Sequence, residues 1–281
     1  MSNTEWYNSI NQVTGTQKVE DIANYMAEGM NSLTSPIDSY YFTLRELLRI
    51  GSRDLLDQNK ALGPLLLVGI ISATENYFRD MLANIIRICP SAQECASKQS
   101  INLGSVVWHG AINVERGAFE NTSFAGIDGI TAACKNFIKF EVKNNSLISG
   151  ILEEYGIICE MRHGIVHSNS FLAGKNAIKL GIPRNDGMVK LNVGYREFQE
   201  CASICTILVV SFNIELFKEM CKRWAVDWRR KINVDSTNET ELFEPIWNLF
   251  LSQVDTDENN ISVKLTMNEC IEAIKIQFQL Q

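Results

Sequence analysis

Three long segments of the sequence carry apolar residues at helical spacing, and they constrain the fold more than any other feature. Residues 63–90, 146–167 and 196–224 each continue for several turns, with apolar residues three and four positions apart. Helices with such broad apolar faces are stable only when they bury those faces against each other. The sequence therefore predicts an all-α helical bundle with these segments at its core.

Shorter elements are predicted around this core. Helical periodicity favours helices over 18–32, 36–50, 127–141 and near 239–253, with a short helix at 91–98 and a further helix at the carboxyl end. Residues 171–193 differ, because two short β-prone runs flank Pro183, Asn185, Asp186 and Gly187. We therefore predict a small β-hairpin insertion there.

These elements suggest three parts of the chain: a helical segment at 1–35, a bundle at 36–224 and a helical extension at 225–281. Hydrophobic residues make up 46% of the chain and charged residues 21%, which is typical of a packed globule. The formal charge of −7 argues against a surface coated in positive charge, although a local basic groove would fit.

The cellular location is predicted from the absence of a secretory signal in the sequence. The first twelve residues have neither the basic start nor the apolar stretch of a secretory signal, so we expect a cytoplasmic protein. Its eight cysteines would then be reduced thiols, most of them in the core. The apolar run LGPLLLVGII is too short for a bilayer, and no membrane association is expected.

The stretch GIICEMRHGIVHSNS, residues 156–170, places three basic or titratable side chains near the end of a core helix. His163 and His167 are four residues apart and share a face. Arg162 and His167 are five residues apart and differ by about 140° around an ideal helix. We expect them to converge on one cleft, because arginine is long and Gly164 lets the last turn loosen. Asn169 suits the helix end.

Residues 162–167 resemble the R-polar-x-x-x-H signature of the HEPN superfamily, which comprises helical-bundle proteins. The motif's place late in a core helix is similar to its place in that family. An apolar helix carrying Glu75 upstream also resembles large prokaryotic members, and Glu75 and Asn169 are taken as supporting residues. The resemblance covers residues 36–224.

The resemblance implies a metal-independent endoribonuclease of a toxin or anti-phage defence system, with no cofactor. RNA would be cleaved by its own 2′-OH, leaving a 2′,3′-cyclic phosphate. Two subunits would place their motifs together, so the implied partners are RNA, a second copy of the chain and a cognate antitoxin or defence protein. In one branch of the family the position of Asn169 holds a tyrosine, and adenylylation of that tyrosine silences the protein. This regulation is not expected here, because the residue is asparagine.

The residue types agree with this chemistry. Imidazole titrates near neutral pH, so His167 suits proton transfer, with His163 in support. The planar guanidinium of Arg162 can donate two hydrogen bonds to a phosphate and stays charged. Arg162, His167 and His163 are therefore the predicted catalytic residues.

Several alternatives remain at the level of sequence. Cys159, His163 and His167 could bind zinc with Cys201 or Cys205. A non-catalytic HEPN-like module could bind RNA, a nucleotide or a protein. The same basic residues could simply bond the last carbonyls of their helix. Glu75 could be a buried acceptor paired with Arg79, one turn along.

Overall fold

The described residues of the amino-terminal unit are all exposed. The computed structural model describes residues 10, 15, 17–27, 34–184, 187–232, 234–235 and 237–280, which fall into two compact units, Met1–Leu33 and Thr34–Gln281. Among the described residues of the first unit, a 3₁₀ turn spans Ile22–Tyr25, and none of its residues is buried. The helix predicted over 18–32 is therefore wrong for the described part, and residues 28–33 lie outside it. An amphipathic pattern does not stabilise a helix whose apolar face is unburied.

The second unit contains the helices that the long apolar segments predicted. In chain order they are α1 (Pro36–Ile50), α2 (Arg53–Gln58), α3 (Leu62–Ile88), α4 (Pro90–Ala96), α5 (Leu103–Gly117), α6 (Ile127–Ile138), α7 (Leu147–Ser168), α8 (Gly174–Lys179), α9 (Tyr195–Lys222), a π-helical segment (Arg223–Trp228), α10 (Arg229–Lys231), α11 (Glu239–Phe250), α12 (Gln253–Asp257) and α13 (Met267–Phe278). The all-α prediction is confirmed.

Helices α3, α7 and α9 form the centre of the bundle and pack against one another. Phe78 of α3 is fully buried, with its ring edge-on to Phe212 of α9 at 4.9 Å between centroids. Tyr155 of α7 is also buried within this core. Edge-to-face aromatic pairs add to the stabilisation gained from burial alone. The helix that carries the motif is thus held on two sides by the other core helices.

The carboxyl-terminal part of the chain belongs to the same unit. α9, the π-helical segment and α10 are continuous from Tyr195 to Lys231, so the boundary predicted at 224–225 lies within one helical run. α11 packs on α9, α3 and α1, and Trp224 contacts Phe243 with ring centroids 5.0 Å apart. Residues 34–281 are therefore organised around one core.

The run from Tyr195 to Lys231 is long and apolar enough to cross a membrane by length and composition. In its most apolar window, 44% of the residues are buried inside the protein. A core helix passes the same test, and this helix packs against α3 and α7.

The predicted β-hairpin at 171–193 is not formed among the described residues. Gly174–Lys179 is the helix α8, and Asn185 and Asp186 lie outside the described residues. A single antiparallel bridge joins Phe171 to Lys190. Contacts of α8 with α7 explain the difference, because the Asn176 amide donates to Glu160 at 2.6 Å and Lys179 forms an ion pair with the same carboxylate. Tertiary contacts override a weak β propensity here.

A buried carboxylate fastens α1 to the start of α12. Asp38 is 2% exposed and accepts hydrogen bonds from the Ser252 hydroxyl at 2.6 Å and from the Gln253 N–H at 2.9 Å. Ser252 is buried as well. Removing this acceptor would leave the buried Ser252 hydroxyl and the Gln253 N–H without it, and the loss at a buried donor is costly.

We predict that Asp38→Ala lowers the free energy of unfolding by about 2–4 kcal/mol, because two donors lose their acceptor. Urea denaturation followed by circular dichroism measures this change. Asp54→Ala is the control, because Asp54 is exposed on α2, and it should change stability by less than about 0.5 kcal/mol. Equal losses in the two variants would contradict the buried role of Asp38.

Candidate functional site

The motif lies on a regular stretch of α7. The Ser146 hydroxyl caps the helix by accepting from the Ser149 N–H at 3.2 Å, and the helix continues to Ser168. It does not loosen at Gly164, contrary to the expectation. A Cβ on Gly164 would lie 3.3 Å from the Phe171 carbonyl oxygen, so this glycine instead allows the following segment to pack closely.

Asn169 ends the helix. Its φ of 49° is in the left-handed region, and its N–H donates to the Gly164 carbonyl, so it serves as the helix cap. Asparagine tolerates this conformation better than most residues. The side chain is exposed, beside a shallow depression lined in part by Ile165 and Lys190. Asn169 thus shapes the end of the motif helix.

The two histidines lie side by side on the surface. The rings of His163 and His167 are 4.6 Å apart between centroids and inclined at 48°. Both side chains are exposed. The prediction that they share a helical face is confirmed. The two imidazoles therefore lie together at one place on the surface of α7.

Arg162 and His163 line a cleft of about 530 Å³. The cleft lies between α7, the turn leading into α6 and the end of α8, and its lining includes Ser123, Gly126, Asp128, Glu153, Cys159, Glu160 and Lys179. His167 is not part of this lining. The expected convergence of Arg162 and His167 on one cleft is therefore not seen: Arg162 lines the cleft together with His163, and His167 contacts His163 from outside the lining.

Arg162 is half-buried, and its side chain has no hydrogen-bond or ion-pair partner within the described part of the chain. This contrasts with Lys179 in the same cleft, which is bound to Glu160. An unpaired guanidinium at a cleft keeps its donors available to an anion. Arg162 is accordingly the group best suited to bind a phosphate here.

The acids of the cleft are not predicted by the sequence pattern. Burial alone would raise the pKa of Glu160, but the hydrogen bond and charge of Lys179 outweigh it and lower that pKa. Asp128 and Glu153 add two further carboxylates to the lining. The cleft thus carries mixed charge. Glu160 could have been noticed from the sequence, because it lies two residues before Arg162. Lys179 could not, because it belongs to a run for which the pattern predicts a strand.

Glu75 holds in place the turn next to the cleft. Its carboxylate accepts a hydrogen bond from the Phe124 N–H at 3.0 Å. The guanidinium of Arg79 lies 5.6 Å from the centre of the Phe124 ring. No ion pair joins Glu75 to Arg79 in the described structure, so the predicted pairing is wrong. Both side chains instead hold the turn at Phe124, next to the residues that line the cleft.

The zinc alternative lacks a ligand set. No group of three His, Cys, Asp or Glu side chains in the described ranges is close enough to hold a metal ion. Burial raises the pKa of the Cys159 thiol to about 12 and that of Cys201 to about 11. Zinc binds the thiolate, whereas these environments favour the protonated thiol.

Comparison of the chain with protein-family models, with curated proteins and with solved structures finds no match in any of the three.

The turn at the cleft depends on Gly129. A Cβ there would lie 1.8 Å from the backbone oxygen of Ser123, so no other residue fits without moving the turn. We predict that Gly129→Ala lowers the free energy of unfolding by at least about 2 kcal/mol, measured by urea denaturation.

Gly150→Ala is the matched control for this prediction. Gly150 lies in α7, and no neighbouring atom comes within 4 Å of the position that an alanine Cβ would occupy there. Alanine has the higher helix propensity, so this variant should gain about 0.5–1 kcal/mol. A Gly129→Ala protein as stable as the parent would show that the turn is not packed as described.

Proposed function

We propose that this protein is a metal-independent endoribonuclease in which Arg162 and His167 act on the scissile phosphate with His163 in support. The observation that carries the proposal is the grouping on one helix of an unpaired guanidinium and two exposed imidazoles in mutual contact. The motif's resemblance to HEPN ribonucleases gives the reaction class.

In the proposed reaction, His167 removes the proton from a ribose 2′-OH. The resulting oxygen attacks the adjacent phosphorus, the bond from phosphorus to the 5′-oxygen breaks, and a protonated imidazole supplies that oxygen with a proton. The products are a 2′,3′-cyclic phosphate and a 5′-hydroxyl. The guanidinium of Arg162 would donate to the non-bridging oxygens, where charge accumulates in the transition state.

One chain offers a small catalytic set, so the proposal includes a homodimer. A second motif would supply a separate acid and base and would double the positive charge facing RNA. This matters because Glu160, Glu153 and Asp128 offset much of the charge within a single cleft. We further propose a cytoplasmic toxin or defence effector, held in check by a cognate antitoxin or partner protein.

A second candidate function is a non-catalytic module that binds RNA, a nucleotide or a protein. It is favoured by the mixed charge of the cleft and by the position of His167 outside its lining. Such a module would need Arg162 for binding but would not need either histidine for turnover. RNA cleavage therefore distinguishes the two functions.

We predict that the purified protein cleaves total RNA in the presence of EDTA, resolved on denaturing gels. Arg162→Ala and His167→Ala should each lose at least about 100-fold in cleavage rate, because each removes a group that acts on the transition state. His163→Ala should lose less, since the imidazole of His167 remains.

The matched control is Arg230→Ala, which removes an exposed arginine outside the cleft and should cleave as the parent does. Unchanged cleavage by both Arg162→Ala and His167→Ala would exclude the proposed site. Cleavage that is abolished by EDTA in the parent protein would exclude the metal-independent reaction. RNA binding without cleavage, lost in Arg162→Ala, would favour the non-catalytic module.

A further inference from the structure

A stretch of fifteen residues, 100–114, contains no Asp, Glu, Lys or Arg, although 21% of the chain is charged. Most of α5 lies within it. Uncharged stretches of similar length are ordinary in a core, and α3 begins with one, but much of the stretch at 100–114 is exposed. Most of its apolar side chains therefore face solvent.

Four side chains define the α5 apolar face: Leu103, Val107, Trp108 and Ile112. They are 76%, 78%, 82% and 81% exposed, respectively. Isolated exposed apolar residues are common on protein surfaces, but four large apolar side chains, each at least three-quarters exposed and one of them a tryptophan, within ten residues of one helix are typical of an interaction site.

The opposite side of α5 is firmly attached to the protein. The Ser105 hydroxyl donates to the Glu120 carboxylate, and His109 Nε2 lies 2.7 Å from the other oxygen of that carboxylate. Gly117 permits this close approach, since a Cβ there would lie 3.0 Å from Ser105 Cβ. His109 thus helps to hold α5 in place through this carboxylate.

The bend in α5 is fixed as well. Gly110 has a φ of 62°, which breaks the helical geometry between Trp108 and Ile112. Arg87 of α3 donates to the Ile112 carbonyl at 3.0 Å and to the Asn113 side-chain oxygen at 3.3 Å. The apolar face is therefore presented on a backbone that is already ordered, which lowers the entropic cost of binding.

We propose that the α5 apolar face is the surface through which two copies of this chain associate. In a two-fold dimer each patch meets its own copy, so a charged patch would bring like charges together. A patch without charge avoids that repulsion. Since each chain carries a formal charge of −7, an uncharged face lets two copies approach at a lower electrostatic cost than an acidic face would.

The size of the patch fits a dimer. The exposed parts of Trp108 and the three aliphatic side chains present roughly 500 Å² of apolar surface. A stable interface buries about 800 Å² per partner, of which about 65% is apolar in homodimers. The α5 apolar face thus supplies the apolar centre, and the uncharged polar residues Asn102 and Asn113 beside it suit the rim.

A membrane is a less suitable occupant. Interfacial helices that bind anionic lipid carry lysine or arginine on their polar face, and residues 100–114 have neither.

A dimer is also part of the proposed function, but this interface is inferred from α5 alone. Its test contains no RNA, so its failure and the failure of cleavage are separate results.

The test is sedimentation equilibrium of the full chain across the micromolar range. We predict a dimer of the 31.7 kDa chain. Trp108→Ser and Ile112→Glu should each weaken dimerisation at least about 30-fold, because each disrupts the centre of the apolar face. Both side chains meet solvent, so thermal denaturation should show that the variants remain folded.

Ile276→Glu is the matched control, because Ile276 is 78% exposed on α13, away from this patch. It should dimerise as the parent does. A monomeric parent, or equal dimerisation by Ile112→Glu and the parent, would overturn the proposal. Equal weakening by Ile276→Glu would also overturn it, as would a monomer that sediments with vesicles of anionic phospholipid.

Discussion

The attachment of Phe124 to two core helices is the constraint on which the candidate site depends. Glu75 of α3 accepts from its N–H at 3.0 Å, and the Tyr155 hydroxyl of α7 donates to its carbonyl at 3.1 Å. Its ring stacks on Phe78 at 6.0 Å between centroids. The turn into α6 is thereby fixed against the helix that carries Arg162 and His163, and the cleft between them has a defined shape. Glu75 matters here through the backbone that it holds.

The apolar periodicity of the sequence predicted the core helices, because a helix face that is buried must be apolar. Helices α3, α7 and α9 follow the three apolar segments within a few residues. The contact between His163 and His167 followed equally from helical geometry. Two local predictions were wrong because distant contacts decide them. Residues 174–179 are helical where α7 provides Glu160 as a partner, and Glu75 binds the Phe124 backbone in place of Arg79. Lys179 and Asp128 join the cleft only through tertiary packing, which residue spacing does not encode.

Two surfaces of the protein expose side chains that the packing of the bundle does not use. Arg162 places at a cleft a guanidinium that has no partner among the described side chains, and the α5 apolar face keeps a tryptophan in solvent. Both are attached to α3, one through the Phe124 turn and the other through Arg87. The same core helix therefore supports the residues proposed for catalysis and those proposed for association. Folding thus positions the groups for which we propose RNA and a second chain as partners.

The chemistry of the cleaved ends tests the central claim most directly. A metal-independent attack by the 2′-OH predicts that RNA fragments made by this protein in EDTA carry a 5′-hydroxyl and a 2′,3′-cyclic phosphate. Such 5′ ends accept labelled phosphate from a polynucleotide kinase without prior dephosphorylation, and mass spectrometry of a short substrate identifies the cyclic phosphate. Fragments with a 5′-phosphate and a 3′-hydroxyl would contradict the account, because water would then be the nucleophile.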